Sequence, residues 1–399
     1  MSNDLLNKIN NIKKISDEDR EILIKSITNN SLIKNLSIFL KTDYKKLDDY
    51  EYLETDDEED IYYINLHFTY LSLFFTKNKK ILYYSKWFTD NIYHFITHYN
   101  DIIKILKIIN FNDTSINFNN DSDNEENDSN IDINNTSNIR NNIGNIHNFN
   151  IIDIGSNIIS IQKWFQTYGH FKDELFSLAD FTNKLQSIDV DNKYTPFVDF
   201  PTDNLIQKIP ITNYNTIFNY IYDDNAINAY TYGKSILKMK KVFLIKHTFN
   251  DKTFHSFPNH ITTKIISKIN DLNFHYHNIF ITRGIATHLP RNLTNQNDIE
   301  HYLVSVNFKS INPELLDYDT FINYIKNANN IVMTWGGSLV NMIYFKENTN
   351  VFILKSQSYA DENINLFKKI IDNYKLNITI IDSENNVIPL TKLKFLENL

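Results

Sequence analysis

Residues 330–354, NIVMTWGGSLVNMIYFKENTNVFIL, constrain the fold more than any other stretch of the chain. Ile331, Val332, Met333 and Thr334 make a short apolar run that stops at Trp335-Gly336-Gly337-Ser338, and residues 339–345 then take helical spacing. That is a strand, a glycine turn and a helix start. Val351, Phe352, Ile353 and Leu354 read as a second buried strand, so the unit is β-α-β. Its turn lies where N–H groups at a helix start can hold an anion, and a phosphate ligand is the first expectation. The bland alternative is that the glycines merely let a strand turn.

The flanking chain supports the ligand reading. Residues 278–284 (NIFITRG) read as a strand ending in Arg283, and 291–303 (RNLTNQNDIEHYL) bring Arg291, a turn at Asn295-Gln296 and a helix. Residues 308–314 (FKSINPE) read as a strand running through Pro313-Glu314, and 319–328 as the helix leading into Ile331. Strand and helix alternate, which is the signature of a parallel α/β sheet. This ordered set, closed by the glycine turn and Leu339-x-Asn341, resembles the C-terminal half of the family 61 glycosyltransferases, which include bacterial capsular-polysaccharide transferases. The resemblance covers 241–381. It implies an α/β fold of GT-B type, with two Rossmann-like domains facing a central cleft, and an inverting transferase that uses a nucleotide sugar.

Transfer from a nucleotide diphosphate needs charge stabilisation on the departing diphosphate and removal of a proton from the acceptor hydroxyl. Arg283 and Arg291 follow a strand of the nucleotide-type domain, where guanidinium groups can grip phosphate oxygens. The backbone N–H groups of Gly336, Gly337 and Ser338 can add to that grip. With Asn295, Trp335 and Asn341 these residues make the expected donor site. Trp335 falls where many family members carry His in a Gly-Pro-His-Gly-Ala sequence, so the turn loses that catalytic candidate. The Trp is left to stack on the nucleobase or sugar, or to fill the core. No Asp-x-Asp pair stands at a strand end, and no metal is expected. Asp121-Ser122-Asp123 lies in an Asn-rich tract and is a false match.

The acceptor side is sought in 162–181, QKWFQTYGHFKDELFSLADF, where His170 and Asp173 fall three apart on one helical face with Glu174 beside them. Tyr168-Gly169-His170-Phe171-x-Asp173-Glu174-Leu175 resembles the family's N-terminal Tyr-Tyr/Gly-His-Phe/Trp-x-x-Asp/Glu motif, which faces the cleft. His170, Asp173 and Glu174 are therefore the candidate catalytic residues, and the resemblance does not settle which of them takes the proton. A similar phrase surrounds His94, but its distance to the arginines suits the family less well. His94 and His98 are one helical turn apart. Phe95, however, stands where a zincin helix carries its glutamate, and an aromatic helix is the expected role of that segment.

Composition bounds the rest. A net charge of -8 argues against a nucleic-acid binder, and the absence of cysteine excludes disulfides and thiolate metal sites. The opening residues hold no apolar core of signal-peptide length, and no uninterrupted apolar run reaches about 18 residues, so a soluble cytoplasmic protein without a membrane span is expected. The tract 112–150 has 15 Asn in 39 residues around an acidic centre and cannot bury enough apolar area to offset ordering entropy. Abundant Asn, Ile, Lys and Tyr look like codon bias of an AT-rich genome, such as that of a protist or a large DNA virus. The expected organisation is 1–111 as N-terminal helices and the start of an acceptor-side domain, 112–150 as a disordered insertion and 151–235 as the rest of that domain. Residues 236–382 follow as the nucleotide-sugar domain and 383–399 as a tail that packs back on the body. The expected partners are a nucleotide sugar, as co-substrate and in place of any cofactor, and a glycan or glycoprotein acceptor; a homodimer is left open. A non-catalytic nucleotide-sugar or glycan binder is the alternative. A Rossmann oxidoreductase is disfavoured because Gly-x-Gly-x-x-Gly is absent.

Overall fold

The computed structural model describes residues 44–55, 60–66, 71–77, 81–84, 150–161, 168–198, 211–229, 235–246, 257–282, 293–357, 364–365 and 367–399. The expected N-terminal helices up to residue 43, the 86–110 segment with His94 and His98, the Asn-rich tract up to residue 149, Arg283 and Arg291 lie outside the described residues. The chain forms two compact units that are interleaved in sequence. One is Met1–Gln162 with Asp191–Asp199 and Asn228–Ile245; the other is Lys163–Val190 with Phe200–Ile227 and Lys246–Leu399.

In the first unit the described chain is strand. β1 (Lys45–Leu47) and β2 (Tyr50–Glu54) form a hairpin where the acidic composition of 47–60 reads as loop. Asp48, with φ 51, supplies the positive-φ residue that such a tight connection needs. β3 (Ile61–Leu66), β4 (Leu71–Thr76) and β5 (Ile81–Tyr84) follow as an antiparallel meander. β6 (Ile151–Asp153) and β7 (Asn157–Ile161) are separated by a turn at Gly155, whose φ is 59. With β8 (Tyr194–Val198), β9 (Ile227–Asn228), β10 (Ile236–Met239) and β11 (Lys241–Ile245), these strands build two sheets, ordered β1-β2-β11-β7-β8-β9 and β5-β4-β3-β10-β6. The sheets meet through aromatic side chains: Phe197 packs edge-on against Tyr63 at 4.8 Å and lies 5.9 Å from Phe74.

Two expectations are corrected here. The unit shows mixed sheets where a Rossmann-like domain was expected: β1–β2 and β3–β4–β5 pair antiparallel as sequence neighbours, while β6–β10, β7–β11 and β7–β8 pair parallel. β10 and β11, expected within the nucleotide domain from 236, instead belong to this unit, β10 pairing with β3 and β6 and β11 with β2 and β7.

The second unit carries the alternating pattern. Its helices α1 (Tyr168–Ile188), α2 (Ile211–Tyr222) and α3 (Asn259–Lys268) precede β12 (Asn278–Ile281), α4 (Gln296–Ser305), β13 (Lys309–Ile311), α5 (Tyr318–Ile325) and β14 (Asn330–Thr334). A 3-10 helix (Gly337–Tyr344), β15 (Asn350–Lys355), a short helix (Lys368–Asn373), β16 (Asn377–Asp382) and a terminal 3-10 helix (Leu390–Asn398) complete it. α1 is thus in the same unit as the glycine turn, although its sequence position puts it in the expected 151–235 acceptor-side domain. Ile211 and Thr212, read from 207–212 as strand, open α2 instead. The strand read through Pro313-Glu314 stops at Ile311; Pro313, which has no N–H for a ladder, starts a 3-10 turn capped by the Asn312 side chain.

β12 to β16 form one all-parallel sheet in the order β13-β12-β14-β15-β16. Numbered within the sheet, that is 2-1-3-4-5, a doubly wound order. One face is sealed by Phe280, Val332, Phe352 and Leu354 against Ile299 and Leu303 of α4 and Leu393 and Leu396 of the terminal 3-10 helix. The expected return of the C-terminus onto the body is therefore seen. Four strands each begin with Asn, and the register aligns them into a ladder. Asn330 Nδ2 donates to Asn278 Oδ1 at 2.8 Å, Asn350 Nδ2 to Asn330 Oδ1 at 2.8 Å, and Asn377 Nδ2 to Asn350 Oδ1 at 3.1 Å. A one-residue slip of any strand would break its rungs, so the ladder marks the register of strands whose apolar runs are continuous.

Candidate functional site

Doubly wound sheets bind ligands outside the carboxyl ends of their strands, where neighbouring strands lead off in opposite directions. In this sheet that point lies between β12 and β14. β12 passes into Thr282, whose N–H donates to Ile311 O at 2.9 Å, and Arg283 is the next residue. β14 ends at Thr334, and the Trp335 N–H still donates to Leu354 O at 2.9 Å. The topology therefore brings Thr282, the residue before Arg283 in the sequence, and the glycine turn to one edge of one sheet.

The turn is built for close approach of backbone. Gly336 has φ 156 and ψ -166, a region essentially reserved for glycine, while Gly337 is exposed and Ser338 half-buried. Leu339 N donates to Gly336 O at 3.1 Å, the first bond of the 3-10 helix, so the N–H groups of Gly337 and Ser338 have no acceptor within the helix. The apolar spacing of 339–345 reads as an α-helix; the chain forms the tighter 3-10 geometry and buries Leu339, Val340, Met342, Ile343, Tyr344 and Phe345.

α1 packs against this 3-10 helix. Lys172 is fully buried, and its Nζ donates to Asn341 Oδ1 at 2.7 Å. The same Nζ stands 4.4 Å from the Tyr344 ring centroid and 5.5 Å from that of Tyr318, within reach of cation–π attraction. The Tyr318 hydroxyl donates to that of Tyr344. Burial drives the Lys172 ammonium well below the usual lysine range and pushes the Tyr344 phenol up. Nearby, the Tyr220 hydroxyl donates to Asp319 at 2.7 Å, and burial together with that carboxylate raises its pKa.

The expected residues are thus dispersed in role. His170 is in the first turn of α1, Asp173 is wholly buried and Glu174 is half-buried. Trp335 is 2% exposed, which fits the core-filling role and leaves no ring face for a base. Asn341 is 1% exposed and engaged by Lys172. Asn295 precedes α4 without capping it. Its amide instead donates to Ile388 O at 2.8 Å and accepts from Ile388 N at 3.1 Å, fastening the C-terminal segment. Gly336, Gly337 and Ser338 are the expected donor residues that stand at the switch point with backbone to offer. Lys172 was missed. The signal lay in its position, four residues before Phe176 and seven before Ala179 on a buried helix stripe, where a lysine needs a partner.

Among the described residues no group of three or more His, Cys, Asp or Glu side chains could hold a metal ion, and no helix is long and apolar enough to cross a membrane. Residues 168–352, from α1 through the glycine turn to β15, match the family model Glycosyltransferase 61. These residues belong to glycosyltransferase family 61. No curated protein matches the chain. The glycosyltransferase 61 region opens at the helix that carries His170, Lys172 and Asp173, and takes in both strands of the switch point.

Proposed function

We propose that this chain is a glycosyltransferase that binds the diphosphate of a nucleotide sugar at the carboxyl edge between β12 and β14 and passes the sugar to a glycan or protein hydroxyl. The observation that carries the reading is the 2-1-3-4-5 order of the parallel sheet, whose switch point falls between the strand before Arg283 and the strand before the glycine turn. Arg283, Arg291 and the N–H groups at Gly337 and Ser338 are the proposed diphosphate ligands. Because they already supply positive charge, transfer is proposed to proceed without a divalent cation, and with inversion as in the family. Of the GT-B arrangement, the parallel sheet supports the nucleotide-binding half, whereas the sheets of the first unit mix parallel and antiparallel pairs. His170, Asp173 and Glu174 are the proposed proton-handling set, with the burial of Asp173 favouring an orienting role over contact with the hydroxyl. That burial is also the observation that favours the second reading, a binder of nucleotide sugars that transfers nothing.

Gly337→Pro is the test of the donor site. Proline fits the first position of a helix and removes one N–H without adding a bulky side chain. The variant should bind UDP, GDP, CDP or TDP, whichever the parent binds, about tenfold or more weakly, the scale of one charge-assisted hydrogen bond. Unchanged affinity would place the diphosphate elsewhere.

A further inference from the structure

We propose that Lys172 is the positioning residue of the diphosphate turn: its Nζ holds Asn341, and through Asn341 it sets where the 3-10 helix presents the N–H groups of Gly337 and Ser338. This rests on the donor site proposed above and assigns a role to a side chain outside it. Asn341 lies four residues beyond Gly337 and three beyond Ser338, about one turn along the same helix, so a displacement of Asn341 is transmitted to the turn. Eight residues of 3-10 geometry are long for that form and depend on tertiary support.

The support from α1 is polar and fully enclosed. Lys172 is 0% exposed, Asn341 1% and Tyr344 1%, with the Nζ to Oδ1 bond at 2.7 Å and the Tyr344 ring 4.4 Å away. Tyr318 reaches the same point from α5, with its ring 5.5 Å from Nζ and its hydroxyl on Tyr344. A methionine or leucine would fill this space without the desolvation cost that burial imposes on an ammonium. What lysine adds is direction: a bond of fixed length to one atom of the turn helix, where apolar packing would leave its register and rotation less determined. The same bond joins the helix that begins with the His170 motif to the turn proposed for the donor, so the two halves of the family signature share one mechanical link.

The experiment is a double-mutant cycle on the full chain with Lys172→Met, Asn341→Leu and both, reading nucleoside diphosphate affinity by calorimetry well below each melting temperature. Both replacements are close to shape-conserving. Each single variant should bind about tenfold more weakly, and the double variant no more weakly than either single, because the two residues act as one unit. A lower melting temperature with parental affinity would make Lys172 a core residue only and overturn the proposal. Additive losses in the double variant would overturn it as well, as would failure of both single variants to fold. A parent chain that binds none of UDP, GDP, CDP or TDP defeats the donor-site reading itself, and the proposal with it.

Discussion

Asn330 is the interior rung of the asparagine ladder, and its removal tests whether that ladder stabilises the nucleotide-type sheet. Its side chain donates to Asn278 Oδ1 and accepts from Asn350 Nδ2, both at 2.8 Å, at a position only 6% exposed. Asn330→Ala deletes two hydrogen bonds worth about 1 kcal/mol each, and strands one acceptor and one donor. Those orphaned groups belong to half-buried residues that water can partly reach, so the added penalty is small and the total comes to about 2–3 kcal/mol. Asn377, exposed at the end of the ladder, holds longer bonds of 3.1 and 3.3 Å, and Asn377→Ala should cost about 0.5 kcal/mol. The chain has 3 tryptophans, of which Trp335 follows directly on β14. With Trp87 and Trp164 replaced by Phe, its fluorescence in urea reports on this unit alone. The midpoint should fall for Asn330→Ala with the slope unchanged. Equal costs at 330 and 377, or a cost below about 0.5 kcal/mol at 330, would show that the amides are incidental to the register.

Arg283→Ala should weaken nucleoside diphosphate binding by about 1.5–3 kcal/mol if its hydrogen bonds are charge-assisted, and calorimetry on the variant checks it. Turnover should survive exhaustive chelation; activity that disappears and returns with magnesium or manganese would contradict a metal-free site. His170→Ala should lower the transfer rate by about a hundredfold or more while nucleotide affinity holds, the scale of a lost general base, and a normal rate would move the search to His94. Lys172 has its folded-state pKa lowered from the ordinary 10.5, so below that value the unfolded chain binds the extra proton. Stability relative to Lys172→Met should therefore rise with pH toward 10.5, and urea titrations at stepped pH showing no such trend would argue against the depressed value.

Much of the nucleotide-type unit was legible because its strands are continuous apolar runs, as in NIVMT and NVFILK, bounded by turn residues. The glycine turn was legible for the same reason. The 3-10 form of the helix after it was not, since apolar spacing over eight residues fits either helix and tertiary packing decides. The first unit was harder to read. Its hairpins depend on which aromatic strands meet, and β10 and β11 differ by a single intervening residue yet belong to different sheets. The i, i+3 spacing of His170 and Asp173 correctly placed them on one helix, but not the fact that Asp173 is inside the core, because a helix buried nearly all round shows no polar face to orient it. Asn295 and Asn341 stood in the expected motif, and the partners their amides hold, Ile388 and Lys172, could not be read from it.

The central claim is that a nucleoside diphosphate sits at the carboxyl edge between β12 and β14. Amide hydrogen exchange on the full chain, with and without the nucleotide that binds, tests it most directly. Protection should concentrate in peptides spanning 335–341 and in those beginning at Thr282, with the carboxyl ends of β15 and β16 little changed. Protection confined to other segments, with peptides 335–341 unaffected at saturating nucleotide, would contradict the account.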